Sequence, residues 1–187
     1  SEYLLGDIGT ELTDENNFFG KGSVQLLKHH GTYQQDDQDV RGQIQEDGSK
    51  KRFIYMVRTA IPGGRMTTDQ FLAQMDLCDE VGNSTLRVTS RQTLQLHGVI
   101  KSELKDTIKR INETQLTTLA ACGDVARNTM CCPAPYKNEV HQELQSHMYH
   151  KWVFMALRSL SKQGALLCRI VCKRVPCCTF GRLRFVS

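Results

Sequence analysis

The chain has 187 residues, 40% of them hydrophobic, with 24 basic and 20 acidic side chains and a formal net charge of +4. That length suits one domain or two small ones with a real core. It contains no apolar run of about eighteen residues, which excludes a membrane-spanning helix. The opening stretch lacks the charged-then-apolar pattern of a secretory leader. Secretion is therefore not expected, and the eight cysteines are expected to be reduced. Charge is unevenly spread: residues 151–187 hold eight Lys or Arg and no Asp or Glu, so the rest of the chain is net acidic. Aromatic residues for base stacking are few in that basic tail, so a nucleic-acid arm is not favoured.

Residues 1–22 are acidic and carry Gly and Asn without a firm period, and read as an arm or loop. The chain opens without Met and is expected to begin inside a longer protein. Val24 to Lys28 is a short apolar run. His29 and His30 follow it, and on a strand two adjacent histidines face opposite ways, a poor metal pair. Gln34 to Asp39 reads as a polar loop, and Gly42 to Lys51 as a connector. Phe53 to Ala60 alternates as a strand, with Arg58 among apolar neighbours. Arg58 is either a cationic head at the sheet rim on a buried stem or an anion-binding guanidinium.

Pro62-Gly63-Gly64 predicts a turn, and Thr67 or Thr68 the cap of a helix with Asp69 in its first turn. Phe71, Leu72, Met75, Cys78 and Val81 are expected to form the inward stripe of that helix. Gly82-Asn83 ends it. Two short strands follow, TLRVT and TLQLHGVI, by period-two alternation. Arg87 and Thr89 fall on one side of the first, and Gln95 and His97 on one side of the second. With Arg91 they form a solvated sheet face or an anion- or cofactor-binding face, and the pattern alone leaves both open. Leu104, Ile108, Ile111 and Gln115 predict a last helix over 104–116. The order strand, helix, strand, strand, helix is that of half a ferredoxin-like α+β unit.

Cys122, Cys131 and Cys132 lie close together, but their spacing is no established ligand set; buried thiols are expected instead. Pro133 and Pro135 stop any helix. Asn138 to Met155 reads as a helix with Val140, Leu144, Met148 and Trp152 along it. His141, His147 and His150 lack partners at zinc-site spacing and read as surface residues. Cys168, Cys172, Cys177 and Cys178 in the tail form no ordered ligand set either.

Four ordered blocks carry a resemblance: HHGTYQQDDQDVR (His29 to Arg41), MVRTAIPGGRMT (Met56 to Thr67), TLRVTSRQTLQLHGV (Thr85 to Val99) and LAACGDVARNTMCCPAP (Leu119 to Pro135). Together they resemble the first part of the sirohaem-containing sulfite and nitrite reductase family, and within it the assimilatory sulfite reductase haemoproteins. The resemblance spans Gly20 to Tyr136 and stops by His150. It implies an α+β chain: an arm (1–22), a ferredoxin-like half-domain (23–118), the start of a sirohaem and 4Fe-4S domain (119–150), truncated, and a tail foreign to the fold (151–187).

By the same resemblance Arg58 and Arg127 contact the oxyanion. Arg87, Thr89, Arg91, Gln95, His97 and Asn128 hold the carboxylate-rich sirohaem or its surroundings. The family often has a second basic residue where this chain has Ala60. The implied activity is reduction of sulfite to sulfide in the cytoplasm, or in the plastid stroma of a plant or alga. The implied electron donor is ferredoxin or an NADPH-dependent flavoprotein. The 4Fe-4S ligands are expected outside this chain, which alone is expected to be inactive. The alternatives are a sirohaem nitrite reductase and a non-catalytic binding or electron-transfer module.

Overall fold

The computed structural model describes residues 6–41, 51–119, 121–122, 128–132, 138–144 and 146–147. Arg127 and the basic tail lie outside the described residues. In chain order the elements are α1 (Ile8–Glu11), α2 (Lys21–His29), β1 (Thr32–Asp36), β2 (Phe53–Thr59), α3 (Thr68–Glu80), β3 (Leu86–Val88), β4 (Leu94–Val99) and α4 (Leu104–Glu113). The strands form one sheet in the order β1-β2-β4-β3, and every neighbouring pair is antiparallel. β2 and β3 are thus parallel, joined through α3, with β4 inserted between them. This is the split β-α-β of a ferredoxin-like unit.

The two faces of the sheet follow from period-two alternation. Tyr55, Val57, Leu96 and Val99 lie on one face and join Leu77, Cys78, Leu104 and Ile111 from the two helices in the core. Burial of such large side chains is worth about 1.5–3 kcal/mol each. Between Leu96 and Val99, His97 and Gly98 both stand opposite Met56, a bulge that lets the strand end re-aim without losing the core face.

Four local expectations are corrected. Val24 to Lys28 is not a separate short run but part of α2, whose Leu27 packs into the core. Thr32–Asp36 is a strand, not a loop. Gln34 finds its partners elsewhere: its Oε1 accepts from the Phe19 N–H at 2.6 Å and from Tyr55 Oη at 3.1 Å. The inward face of α3 is Gln74, Leu77 and Cys78, whereas Phe71, Leu72 and Met75 are exposed. The helix is rotated because buried Gln74 accepts from the Thr59 hydroxyl of β2 at 3.0 Å. A capping box at Thr67 and Gln70 starts α3, and the Gln70 amide also donates to the Thr114 carbonyl at the end of α4. The last helix ends at Glu113, and Gln115 takes φ 63° beyond it.

The arm is folded onto this body. Residues 6–20 carry the short helix α1, and Ile8 and Phe19 are core residues. The latch is Lys101, 7% exposed. Its ammonium donates to the Asp14 carboxylate, to Asn16 O at 2.8 Å and to Phe18 O at 3.2 Å. All three ammonium donors are thereby used, and the group sits 4.8 Å from the centre of the Phe19 ring. The bond to Lys101 holds the Asp14 carboxyl below its ordinary value of 3.8.

A carboxyl whose folded pKa is depressed contributes stability above its unfolded value, and that contribution is lost as pH falls through the folded value. Hydrogen exchange of residues 6–20, measured against β2 and β4, should therefore rise below about pH 4. Asp14→Asn should flatten that dependence. An arm equally protected at pH 7 and pH 2.5 would show that Asp14 does not latch it.

Candidate functional site

The face of the sheet turned away from the core carries the polar residues. Register pairs Arg58 of β2 with Gln95 of β4, and Gln95 with Arg87 of β3. The three form a row across the sheet, and His97, two residues along β4, lies on the same face. Gln95 is buried, Arg58 and His97 are half-buried and Arg87 is exposed. A guanidinium can only donate, so the Gln95 amide turns its oxygen to Arg58. That oxygen accepts from Nε at 2.9 Å and also from Nη2. The other end of the amide lies 3.4 Å from His97 Nε2. Burial, with the Arg87 and Arg58 cations nearby, lowers the His97 pKa and keeps the ring neutral near pH 7.

Arg58 is placed by a close approach of chain segments. Its N–H donates to the Gly31 carbonyl at 2.8 Å. Gly31 has φ 74°, and a Cβ there would fall 2.3 Å from the Thr118 carbonyl oxygen and 2.8 Å from that of Arg58. Cys122 lies in the same neighbourhood: its carbonyl accepts from Tyr33 Oη at 3.3 Å. Burial raises its thiol pKa to about 11, against a smaller opposing pull from Arg58.

Thr89, Arg91 and Asn128 are brought to the hairpin end instead. Thr89 Oγ1 pairs with Thr93 Oγ1 at 2.6 Å and accepts from the Arg91 and Thr93 N–H groups, so it closes the β3–β4 turn. Arg91 donates through Nη1 to the Asn128 carbonyl at 3.4 Å. Asn128 is 1% exposed. Its oxygen accepts from Ile61 N–H at 3.0 Å, and its NH2 donates to the carbonyls of Ile61 and Arg91, each at 2.9 Å. The amide is thus committed to backbone, and it stitches residues 128–132 to the Pro62–Gly64 turn and to the hairpin.

Two further residues contribute, Gln92 at this corner and Tyr33 on β1 at the opposite edge of the sheet, and neither residue type points to a role from sequence. Gln92, at φ 56°, exchanges two hydrogen bonds with the Cys131 backbone at 2.7 and 3.0 Å. Tyr33 shares the polar face because β1 is a strand, opposite Met56.

Charge distinguishes this face. Elsewhere Arg41, Arg52 and Arg110 each meet a carboxylate. Among the described residues, no carboxylate pairs with Arg58, Arg87 or Arg91. Two guanidiniums on this face and a third at the hairpin end, none paired with an acid, make a surface suited to anions.

Comparison with known proteins bears on this geometry. The family model described as "Nitrite/Sulfite reductase ferredoxin-like half domain" matches residues 46–114, which include β2, α3, β3, β4 and α4. The chain belongs to the nitrite/sulfite reductase family. It is 43% identical over 148 residues to the "Sulfite reductase [NADPH] hemoprotein beta-component" of Staphylococcus haemolyticus, covering 79% of this chain and 26% of that protein. It is 41% identical over 143 residues to the protein of the same name from Bacillus subtilis, covering 76% and 24%. The chain thus spans about a quarter of the length of these relatives. A solved structure, that of the Mycobacterium tuberculosis NirA protein, shares the fold with a TM-score of 0.55 and 20% identity, covering 68% of this chain and 25% of that one.

In this member of the nitrite/sulfite reductase family, the described cysteines divide by environment. Cys78 and Cys122 are buried, Cys131 is half-buried and Cys132 is exposed, so the expectation of three buried thiols after residue 120 holds for Cys122 and fails for Cys131 and Cys132. No group of three His, Cys, Asp or Glu among the described residues is arranged to hold a metal ion. The histidines of the 138–147 segment bond locally, His141 Nδ1 with Asn138 at 2.8 Å and His147 Nδ1 with the Glu143 carbonyl at 2.9 Å. Val140 and Leu144, expected as a stripe, are exposed. No described helix is long and apolar enough to cross a membrane.

Proposed function

We propose that this chain supplies part of the anion- and cofactor-binding wall of a sulfite reductase that converts sulfite to sulfide with electrons delivered from NADPH through a flavoprotein. The observation that carries this reading is the row of cations without acids on one sheet face, in a chain whose curated relatives are named as sulfite reductase hemoproteins.

Sirohaem is a macrocycle bordered by carboxylates, and Arg87 and Arg91, exposed and half-buried at the β3–β4 end, have the chemistry to receive them. Gln95 and His97 line the same face. Thr89 and Asn128, whose polar atoms are taken by the turn and by backbone, act by holding Arg91 and the 128–132 segment in place. When bound, the group supplies the iron that receives the substrate and the electrons. Among the described residues no group of His, Cys, Asp or Glu is arranged to hold a 4Fe-4S centre. Arg58 neutralises the oxyanion as its oxygens take up protons and leave as water. Arg127 is proposed for the same task from the resemblance of its block.

The test is steady-state sulfite reduction by the holoenzyme that contains this chain, with sirohaem occupancy measured in each variant. Arg58→Ala and Arg127→Ala should each cost about 2–4 kcal/mol of transition-state stabilisation. That corresponds to roughly 30- to 1000-fold in turnover. Lysine at either position should restore only part of the rate, since it lacks the planar fork. Full activity at normal occupancy removes that arginine from the site. Ammonia from nitrite as the preferred product would move the protein to the nitrite-reducing branch of the family.

A further inference from the structure

The row on the sheet contains one neutral group whose burial is costly unless both its ends are used. Gln95 is 7% exposed and stands between two arginines in register. We propose that Gln95 is a positioning residue: it clamps the Nε edge of Arg58 and, through the other end of its amide, holds His97 as the neutral Nδ1–H tautomer. The proposal deepens the sulfite-reduction reading and rests on it for its biological meaning.

Arg58 has donors only, so the amide oxygen must face it, as the 2.9 Å contact from Nε requires. The amide nitrogen then faces His97 Nε2 at 3.4 Å, and that nitrogen has to accept. The ring proton is therefore on Nδ1. If His97 were protonated, Nε2 would become a donor aimed at another donor. The amide would have to turn over, presenting NH2 to the Arg58 guanidinium. Protonating His97 and clamping Arg58 are thus mutually exclusive.

The charged groups facing His97 act in the same direction. Arg58 on β2 and Arg87 on β3 are both cationic, and the His97 carbonyl is occupied by the Asn83 N–H at 2.9 Å. Among the described residues the Arg58 side chain has no other hydrogen-bond partner. With its Nε edge fixed, the opposite edge is left aimed and free for two oxygens of an anion.

The experiment uses the full chain, labelled with 15N, without cofactor or sulfite. His97 ring nitrogens are titrated and Arg58 Nε–H exchange is measured by NMR. The wild type should show the Nδ1–H tautomer at pH 7. Gln95→Leu should speed Arg58 Nε–H exchange about tenfold or more while the backbone amides of β2 and β4 keep their protection. Gln95→Glu, nearly the same shape, should keep Arg58 slow and raise the His97 pKa by about one unit or more, because a carboxylate accepts from both neighbours. If the leucine variant does not fold, the glutamate variant decides. An Nε2–H tautomer in the wild type, unchanged Arg58 exchange in folded Gln95→Leu, or an unmoved His97 pKa in Gln95→Glu would each overturn the clamp. Neither readout needs sirohaem or substrate, so failure of the clamp is distinguishable from failure of the sulfite-reduction reading.

Discussion

Replacing Gly31 with alanine should destabilise the domain by about 3–5 kcal/mol, from strain in the left-handed region together with overpacking. Gly31 has φ 74°, a conformation that glycine alone adopts without cost. The added Cβ would meet the Thr118 carbonyl oxygen at 2.3 Å and the Arg58 carbonyl oxygen at 2.8 Å. Both obstacles are backbone, so no rotamer change relieves them. One is the carbonyl of Arg58, and the N–H of Arg58 is bonded to the Gly31 carbonyl. Relief of the clash must therefore move the β2 end that carries the anion-facing guanidinium. Denaturant unfolding should show the loss in midpoint at constant slope. A change below 1 kcal/mol would mean that the α2–β1 connection yields without disturbing β2.

Asn128→Ala should cost a similar amount, about 3–5 kcal/mol, because two buried backbone groups lose their partners together. Each unsatisfied buried group costs about 1–3 kcal/mol. The Ile61 N–H and the Arg91 carbonyl depend on this one amide, whereas the Ile61 carbonyl keeps the Gly64 N–H at 2.9 Å. Asn128→Asp keeps the acceptor for Ile61 N–H but sets a carboxylate against two carbonyl oxygens, so it should not rescue. Stability is read by chemical unfolding, and detachment of the 128–132 segment by hydrogen exchange at Cys131, whose N–H is held by Gln92 at 3.0 Å. If exchange at Cys131 is unchanged in the alanine variant, Gln92 and the Gly63 N–H on the Thr129 carbonyl hold the segment without Asn128.

The sequence by itself determined the order of elements from β2 to α4. Alternation in FIYMVRT and LQLHGV, a Thr-x-x-Gln capping box and a Gly-Asn stop are local signals, and local energetics decides them. Period two also set Arg87 on one side of its strand and Gln95 and His97 on one side of theirs; strand pairing put them on one face with Arg58. The family blocks raised the same residues from a solvated face to a candidate site.

Tertiary structure alone decided the rest. β1 has the composition of a loop, and becomes a strand because β2 offers it an edge and Tyr55 and Phe19 satisfy Gln34. The inward face of α3 was not legible from apolar spacing, since a buried Gln74–Thr59 bond turned Phe71, Leu72 and Met75 outward. The folded arm depends on Lys101, more than eighty residues away from Asp14 and Phe18 in sequence. Thr89 and Asn128, which share blocks with the arginines, have their polar atoms drawn into the turn and the backbone. Apart from the local Thr89 turn, polar bonds between distant segments outweighed local preference, because buried polar groups are held where they find partners. Such bonds join residues far apart in the chain, and one-dimensional spacing carries no record of them.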